Sequence, residues 1–303
     1  MRRFKIFTYK FLINILLRLP DAFYAVLFAV VFPIYKVLHK KRAYGRVEKH
    51  LAAAKEYLAN ACVGPNKEPR DEKNPNLNAL ATINAHDTFR GIFWNALESY
   101  RGLARFKSVE KRIVYENEHI IRNAIADCAK QNAPIAGISI HQGAFELMHR
   151  ALCRYSEHVH LITDSVGDIA FREVLKDIRS DPHLTEYHPD ETGRLIRELF
   201  RTKGILAMVI DQGKHTKGNT VSLFGRPSTL YLRLPQKINE MGAGIVTFRT
   251  WSEKKRVVIR FESYYPPKYD ENQLVTEIAH EVETWIADHP KQWSWNYHGN
   301  FIG

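Results

Sequence analysis

The sequence predicts an α/β protein with a mixed, largely parallel central sheet flanked by helices. Two apolar runs carry that expectation, Pro134-Ile-Ala-Gly-Ile-Ser-Ile140 and Gly204-Ile-Leu-Ala-Met-Val-Ile210, each short enough to be a buried strand. Stretches with helical periodicity stand between the strand-like runs, and that alternation builds a sheet covered on both faces. A basic, apolar amino-terminal stretch precedes this pattern and reads as a membrane-associating helical segment.

That first stretch divides the chain into residues 1–42 and a catalytic-type α/β unit over 43–303. Arg2, Arg3, Lys5 and Lys10 lead into Phe11-Leu-Ile-Asn-Ile-Leu-Leu17, and a break at Pro20 precedes the run Ala22 to Tyr35. This run of 14 residues falls short of the roughly 20 that a spanning helix needs. Lys36, Lys40, Lys41 and Arg42 follow at once, and Phe23, Tyr24, Phe32 and Tyr35 punctuate the run. Flanking cations and spread aromatics suit a helix or hairpin lying in one leaflet. A buried core helix and a single span over Phe11 to Leu38 remain the alternatives. Val47 to Cys62 reads as a helix, residues 64–76 as a polar linker with three prolines, and Leu77 to Phe106 as helix. Further along, the pattern predicts a helix over Ala144 to Tyr155, a strand over His158 to Thr163, and helices over Asp168 to Arg179 and Glu191 to Thr202. A hairpin of Ala243 to Thr250 with Arg256 to Glu262 and a helix over Asn272 to Asp288 close the fold.

Composition narrows the function. Basic residues outnumber acidic ones by 44 to 33, a formal charge of +11, which favours anionic partners. No zinc ligands, basic recognition helix or aromatic ribonucleoprotein motif accompanies that charge, so nucleic acid is not the expected partner. Three cysteines without a CxxC pair imply neither a disulfide framework nor a zinc cluster. No Gly-rich phosphate cradle and no G-x-S-x-G elbow occurs, so neither a nucleotide cofactor nor a serine hydrolase is expected.

In open α/β sheets ligands gather beyond the carboxyl ends of the strands. The two apolar strands end in Ile138-Ser-Ile-His141-Gln-Gly-Ala-Phe-Glu146 and Val209-Ile-Asp211-Gln212. With His141 in the turn, Gly143 giving backbone freedom and Glu146 in the first helical turn, the carboxylate could fold back on the imidazole. Such a pair makes a general base with no nucleophile of its own, fit to activate an alcohol or amine on a substrate. The plainer alternative is a strand-end histidine beside a helix-capping glutamate. Glu146 and His149 also form an i, i+3 pair of the di-metal kind, but no second copy exists and no metal is expected.

His141-x4-Glu146 after an apolar strand resembles the signature of the lysophospholipid acyltransferase superfamily. Three more stretches are similar to the late acyltransferases of lipid A biosynthesis: Gly204 to Gln212, Val221-Ser-Leu-Phe224-Gly225-Arg226-Pro227, and His289-Pro-Lys-Gln292-Trp-Ser-Trp295. The tail Asn296-Tyr-His298-Gly-Asn300 departs from that family's pattern. The resemblance implies transfer of an acyl group from a thioester donor, acyl carrier protein above coenzyme A, to a hydroxyl of a lipid A-type glycolipid at the cytoplasmic face of the inner membrane. His141 would be the base and Glu146 its orienting partner. Asp211 and Gln212 would shape the site, a cap on the following loop being the plainer alternative, and Gly225, Arg226 and Pro227 would form a loop receiving acceptor or donor, with a tight turn as its alternative. Lys214, Lys217 and Arg172, with His215 and Arg179, would add positive charge for phosphates. Branches of the superfamily that transfer glycine, or that acylate other lipids or pigment precursors, are alternatives, as is a membrane-anchored scaffold with a dead site.

Overall fold

The computed structural model describes residues 7–295, apart from Tyr9, Asn14, Leu16, Arg18, 62–76, 164–168, 213–216 and Lys255. The expected linker at 64–76 and Lys214 with His215 lie outside the described residues.

Seven strands form the main sheet in the order β1-β9-β8-β2-β5-β3-β4. They are β1 (Ile113–Glu116), β2 (Ile135–Ser139), β3 (Val159–Ile162), β4 (Leu184–Tyr187), β5 (Ile205–Val209), β8 (Gly244–Glu253) and β9 (Arg256–Tyr265). Strands β8, β2, β5, β3 and β4 run parallel, and β9 turns back antiparallel on β8 with β1 parallel to it. The largely parallel α/β sheet of the sequence reading is therefore present. Every residue of β2 is buried, as a strand covered on both faces requires. Alternation then sends Ala136, Ile138, Leu206 and Met208 into one core and Ile135, Ile205, Ala207 and Phe248 into the other.

The first core is closed by helices α1 (Asp21–Leu38), α2 (Gly45–Ala61), α3 (Ala85–Ala104) and the carboxyl-terminal helix Glu271–Asp288. The second is closed by α4 (Glu118–Lys130) and the short α5 (Met148–Leu152). Helices α6 (Ile169–Arg179) and α7 (Thr192–Thr202) follow β3 and β4. The sequence called these two and α2 within a few residues. It overextended the helix at 144–155, which is a 3-10 turn at Phe145–Leu147 followed by α5. The chain needs residues 141–144 for a sharp turn before any helix can begin.

Helix α1 has two unlike faces. Tyr24, Phe28 and Phe32 are buried; Phe28 meets Trp94 of α3 edge-on at 5.1 Å between centroids, and Tyr35 lies 4.8 Å from Phe93. Arg101 of α3 holds the helix start by donating to the Leu19 carbonyl at 3.1 Å and sits over the Tyr24 ring. The opposite face presents Phe23, Val26, Val30, Ile34 and Val37 to solvent, at spacings of three and four. Among the described residues no single helix is long and apolar enough to cross a membrane; α1 and α2 together pass that test only as a pair bent by 86°.

Residues 219–230 fold as a two-stranded hairpin, β6 (Asn219–Leu223) with β7 (Arg226–Leu230). The resemblance implied a receiving loop at Gly225, Arg226 and Pro227 within this stretch, and no strands were expected here.

Candidate active site

Strands β2 and β5 pair in parallel from Ile135↔Ile205 to Ser139↔Val209. Continued two residues further, the same register sets His141 beside Asp211. The amide of Ile210 still donates to the Ser139 carbonyl at 2.9 Å, so the two tips leave the sheet together. His141 Nδ1 lies 2.7 Å from Asp211 Oδ1, and the His141 amide donates to both oxygens of that carboxylate at 3.2 and 3.0 Å. A carboxylate only accepts, so Nδ1 is the protonated nitrogen and, in the neutral ring, Nε2 carries the lone pair. Both residues are buried, with Asp211 2% exposed. Phe145 packs edge-on against the imidazole, with 4.6 Å between centroids.

The turn that delivers His141 is tight because Gly143 permits it. Its φ is +57°, and a Cβ there would stand 2.7 Å from the Thr250 carbonyl oxygen and the Trp251 Cα of β8. Thr250 Oγ1 donates to the Gln142 carbonyl, and the Gln142 side-chain amide donates to the Trp285 carbonyl at 2.7 Å.

Glu146 does not fold back on the imidazole as expected. Arg179, at the end of α6, binds its carboxylate in a fork, Nε to Oε2 at 2.9 Å and Nη2 to Oε1 at 2.5 Å. The 3-10 turn aims Glu146 at α6, and a guanidinium matches both of its oxygens. The carboxylate bonded to the His141 ring is therefore Asp211. The Glu146–Arg179 pair is a second, buried charge pair at the same turn. His149, also buried, keeps a pKa well below the usual histidine value, through burial first and then the charges of Arg179 and Arg150. It stays neutral and unsuited to be the acid or base. Among the described residues no three His, Cys, Asp or Glu side chains gather as metal ligands.

The other expected residues scatter. Gln212 is half-buried next to Asp211, and Lys217 is exposed at the start of the hairpin. Phe224 and Gly225, both at positive φ (+50° and +68°), form the two-residue hairpin turn. Phe224 is buried on the Trp295 ring, the Arg226 guanidinium binds Glu56 of α2 at 2.8 Å, and Pro227 lies in β7. Gly225, Arg226 and Pro227 thus lie in and beside a packed hairpin turn, the tight-turn alternative for this segment. Arg172 is half-buried on α6, one element away from the His141 turn. Trp293, for which the sequence motif implied no separate role, donates its indole N–H to Asp211 Oδ2 at 2.9 Å.

A buried histidine bonded to a carboxylate at the strand tips of an open α/β sheet has the form of a general base, and strand tips are where such sheets bind ligands. A family model, bacterial lipid A biosynthesis acyltransferase, matches residues 94–298, more than half of the chain and the whole of the site. The chain belongs to this family and is an acyltransferase of lipid A biosynthesis, acting with an acyl donor on an acceptor of the lipid A type. No curated protein sequence matches it.

Proposed function

We propose that this acyltransferase moves an acyl group from a thioester, acyl carrier protein being the preferred donor, to a hydroxyl of a lipid A-type glycolipid at a membrane surface. His141 Nε2 removes the hydroxyl proton while Asp211 steadies the imidazolium through Nδ1. The alkoxide attacks the thioester carbonyl, and the carbon–oxygen bond forms. The tetrahedral adduct then expels the thiolate, which takes the proton back from Nε2. In this scheme the acyl group passes straight from the thioester to the acceptor, with no acyl-enzyme intermediate. The observation that carries the reading is the buried 2.7 Å contact of His141 Nδ1 with Asp211, inside the matched region of the family.

Other features support the finer points. A cleft of about 240 Å³ lies between the amino-terminal segment, α3 and α6, lined by Ile13, Leu103, Val174 and Ile178 with the Lys10–Asp177 ion pair across it. Ile178 precedes Arg179, the partner of Glu146, and α3 packs on the turn at Leu147; on this reading the acyl chain lies in the cleft. The apolar stripe of α1, beside Lys36 and Lys40, suits insertion into one anionic leaflet while Tyr24, Phe28 and Phe32 stay docked on the body. A formal charge of +11 suits an acidic carrier protein and a phosphorylated glycolipid alike.

The test is reconstituted transfer from acyl carrier protein or acyl-coenzyme A to an underacylated lipid A precursor in vesicles, with products read by mass spectrometry. The expected result is a mass gain of one fatty chain, faster with the carrier protein, and lost in His141→Ala at unchanged thermal stability. Full transfer by that variant, or a mass gain of one glycine, would overturn the proposal.

A further inference from the structure

Residues 289–295 form a strap that closes over the His141 turn after the carboxyl-terminal helix ends at Asp288. Gln142 and Trp293 face each other as an isolated antiparallel bridge. The Gly143 amide donates to the Gln292 carbonyl at 2.9 Å, and the Ser294 amide donates to the His141 carbonyl at 3.0 Å. The strap is itself anchored. Gln292 bonds the amide and carbonyl of Ser252 in β8, Asn95 of α3 donates to the Gln292 carbonyl, and the Trp295 indole donates to the Pro290 carbonyl. Trp293 therefore has little freedom, and its 1% exposed ring puts one N–H on Asp211 Oδ2.

We infer that Trp293 is a positioning residue for acyl transfer, its indole N–H fixing the Asp211 carboxylate so that Oδ1 faces His141 Nδ1. The inference rests on the reading of His141 and Asp211 as the base pair. Two adjacent tryptophans do different work on this view. Trp293 serves the carboxylate. Trp295 serves packing, through Phe224, the Trp293 ring at 4.8 Å and a bond between His50 Nδ1 and its carbonyl. With the indole gone the carboxylate keeps its bonds from His141 but loses the donor that holds Oδ2 from the strap, so the imidazole is held less firmly in tautomer and direction. Substrate binding has no reason to change, so the loss belongs in kcat and not in KM.

The experiment compares Trp293→Phe with Trp295→Phe in the full-length enzyme, measuring kcat, KM and thermal midpoint. Benzothienylalanine at 293 serves as a further variant, keeping the bicyclic shape and replacing the N–H by sulfur, in case the phenylalanine variant folds poorly. Losing one hydrogen bond to a charged group predicts a kcat lower by about ten- to a hundredfold, with KM within threefold, for both position-293 variants. Trp295→Phe should lower the midpoint but keep kcat within threefold. In an Asp211→Asn background the Trp293 change should add almost nothing, because the two act as one unit. If the benzothienyl variant keeps wild-type kcat, or if the Trp293 and Asp211 losses multiply, the inference fails while the base-pair reading stands. If Asp211→Asn itself keeps full activity, both fail.

Discussion

Replacing Asp211 by asparagine changes one charge and one acceptor, and the structure dictates where the amide must settle. Asp211 Oδ2 accepts from the Trp293 indole and the His141 amide at 2.9 and 3.0 Å, while Oδ1 faces His141 Nδ1 at 2.7 Å. The asparagine carbonyl takes the Oδ2 position, because the indole and amide N–H groups there can only donate whereas His141 Nδ1 can turn acceptor, at the loss of the weaker 3.2 Å amide contact to Oδ1. The NH2 then points at Nδ1. To accept from it, the imidazole must move its proton to Nε2, the nitrogen that has to receive the substrate proton. The variant thus stores the base in the wrong tautomer with its shape intact. Such inversion costs about 10³- to 10⁴-fold in kcat, or about 4–5 kcal/mol of transition-state stabilisation. KM should hold within a few-fold, and the thermal midpoint should barely move, because most of the hydrogen bonds survive. The assay is radiolabelled acyl transfer in vesicles under saturating donor, beside a melt of the same sample. An Asp211→Asn rate above a tenth of wild type would refute the tautomer argument, as would a loss explained by unfolding alone.

Two further outcomes follow from the charges around the site. Arg179→Ala leaves the Glu146 carboxylate buried without its fork, which should destabilise the protein by about 3–5 kcal/mol; the double change Glu146→Leu with Arg179→Leu should recover much of that in denaturant melts, and no recovery would contradict the pairing. His160 and His289 are held at pKa values of about 4, in each case by burial above all. Their folded values lie below the unfolded one, so the unfolded chain takes up protons first, and stability falls as pH drops from about 6.5 towards 4. Each contributes a loss of roughly 2 kcal/mol between pH 6.5 and 5, His149 adding in the same direction. Denaturant midpoints at the two pH values check this, and His160→Gln should remove about one proton's share of the slope; a pH-independent midpoint would count against it.

Much of this architecture was legible because parallel strands buried on both faces must be apolar throughout. The runs at 135–139 and 205–209 needed no tertiary knowledge to be found. Strands β1 and β4 were missed because each is four residues long and only one position in each is buried, leaving no run to see. The hairpin at 219–230 went unread since Phe224 sits at positive φ, an unusual residue for such a turn. At the site the expected pairing of His141 with Glu146 differs from the one observed, His141 with Asp211. Counting alone could have corrected it. His141 and Asp211 each lie six residues past the paired positions Ile135 and Ile205, so in-register strands bring them together. Nothing comparable marks Glu146 with Arg179, which depends on how α6 packs, or Trp293 with Asp211, which depends on a strap returning from the far end of the chain. Long-range partners of this kind are set by topology and not by local pattern.

The state of one imidazole tests the central claim most directly. With ¹⁵N-histidine labelling, and the His141 signals assigned by difference against His141→Gln, the nitrogen shifts near neutral pH report which ring nitrogen carries the proton. A ring protonated at Nδ1 and bare at Nε2, switching to the opposite form in Asp211→Asn but not in Glu146→Gln, is the predicted result. A wild-type ring protonated at Nε2 alone, or one that responds to Glu146→Gln and ignores Asp211→Asn, would contradict it.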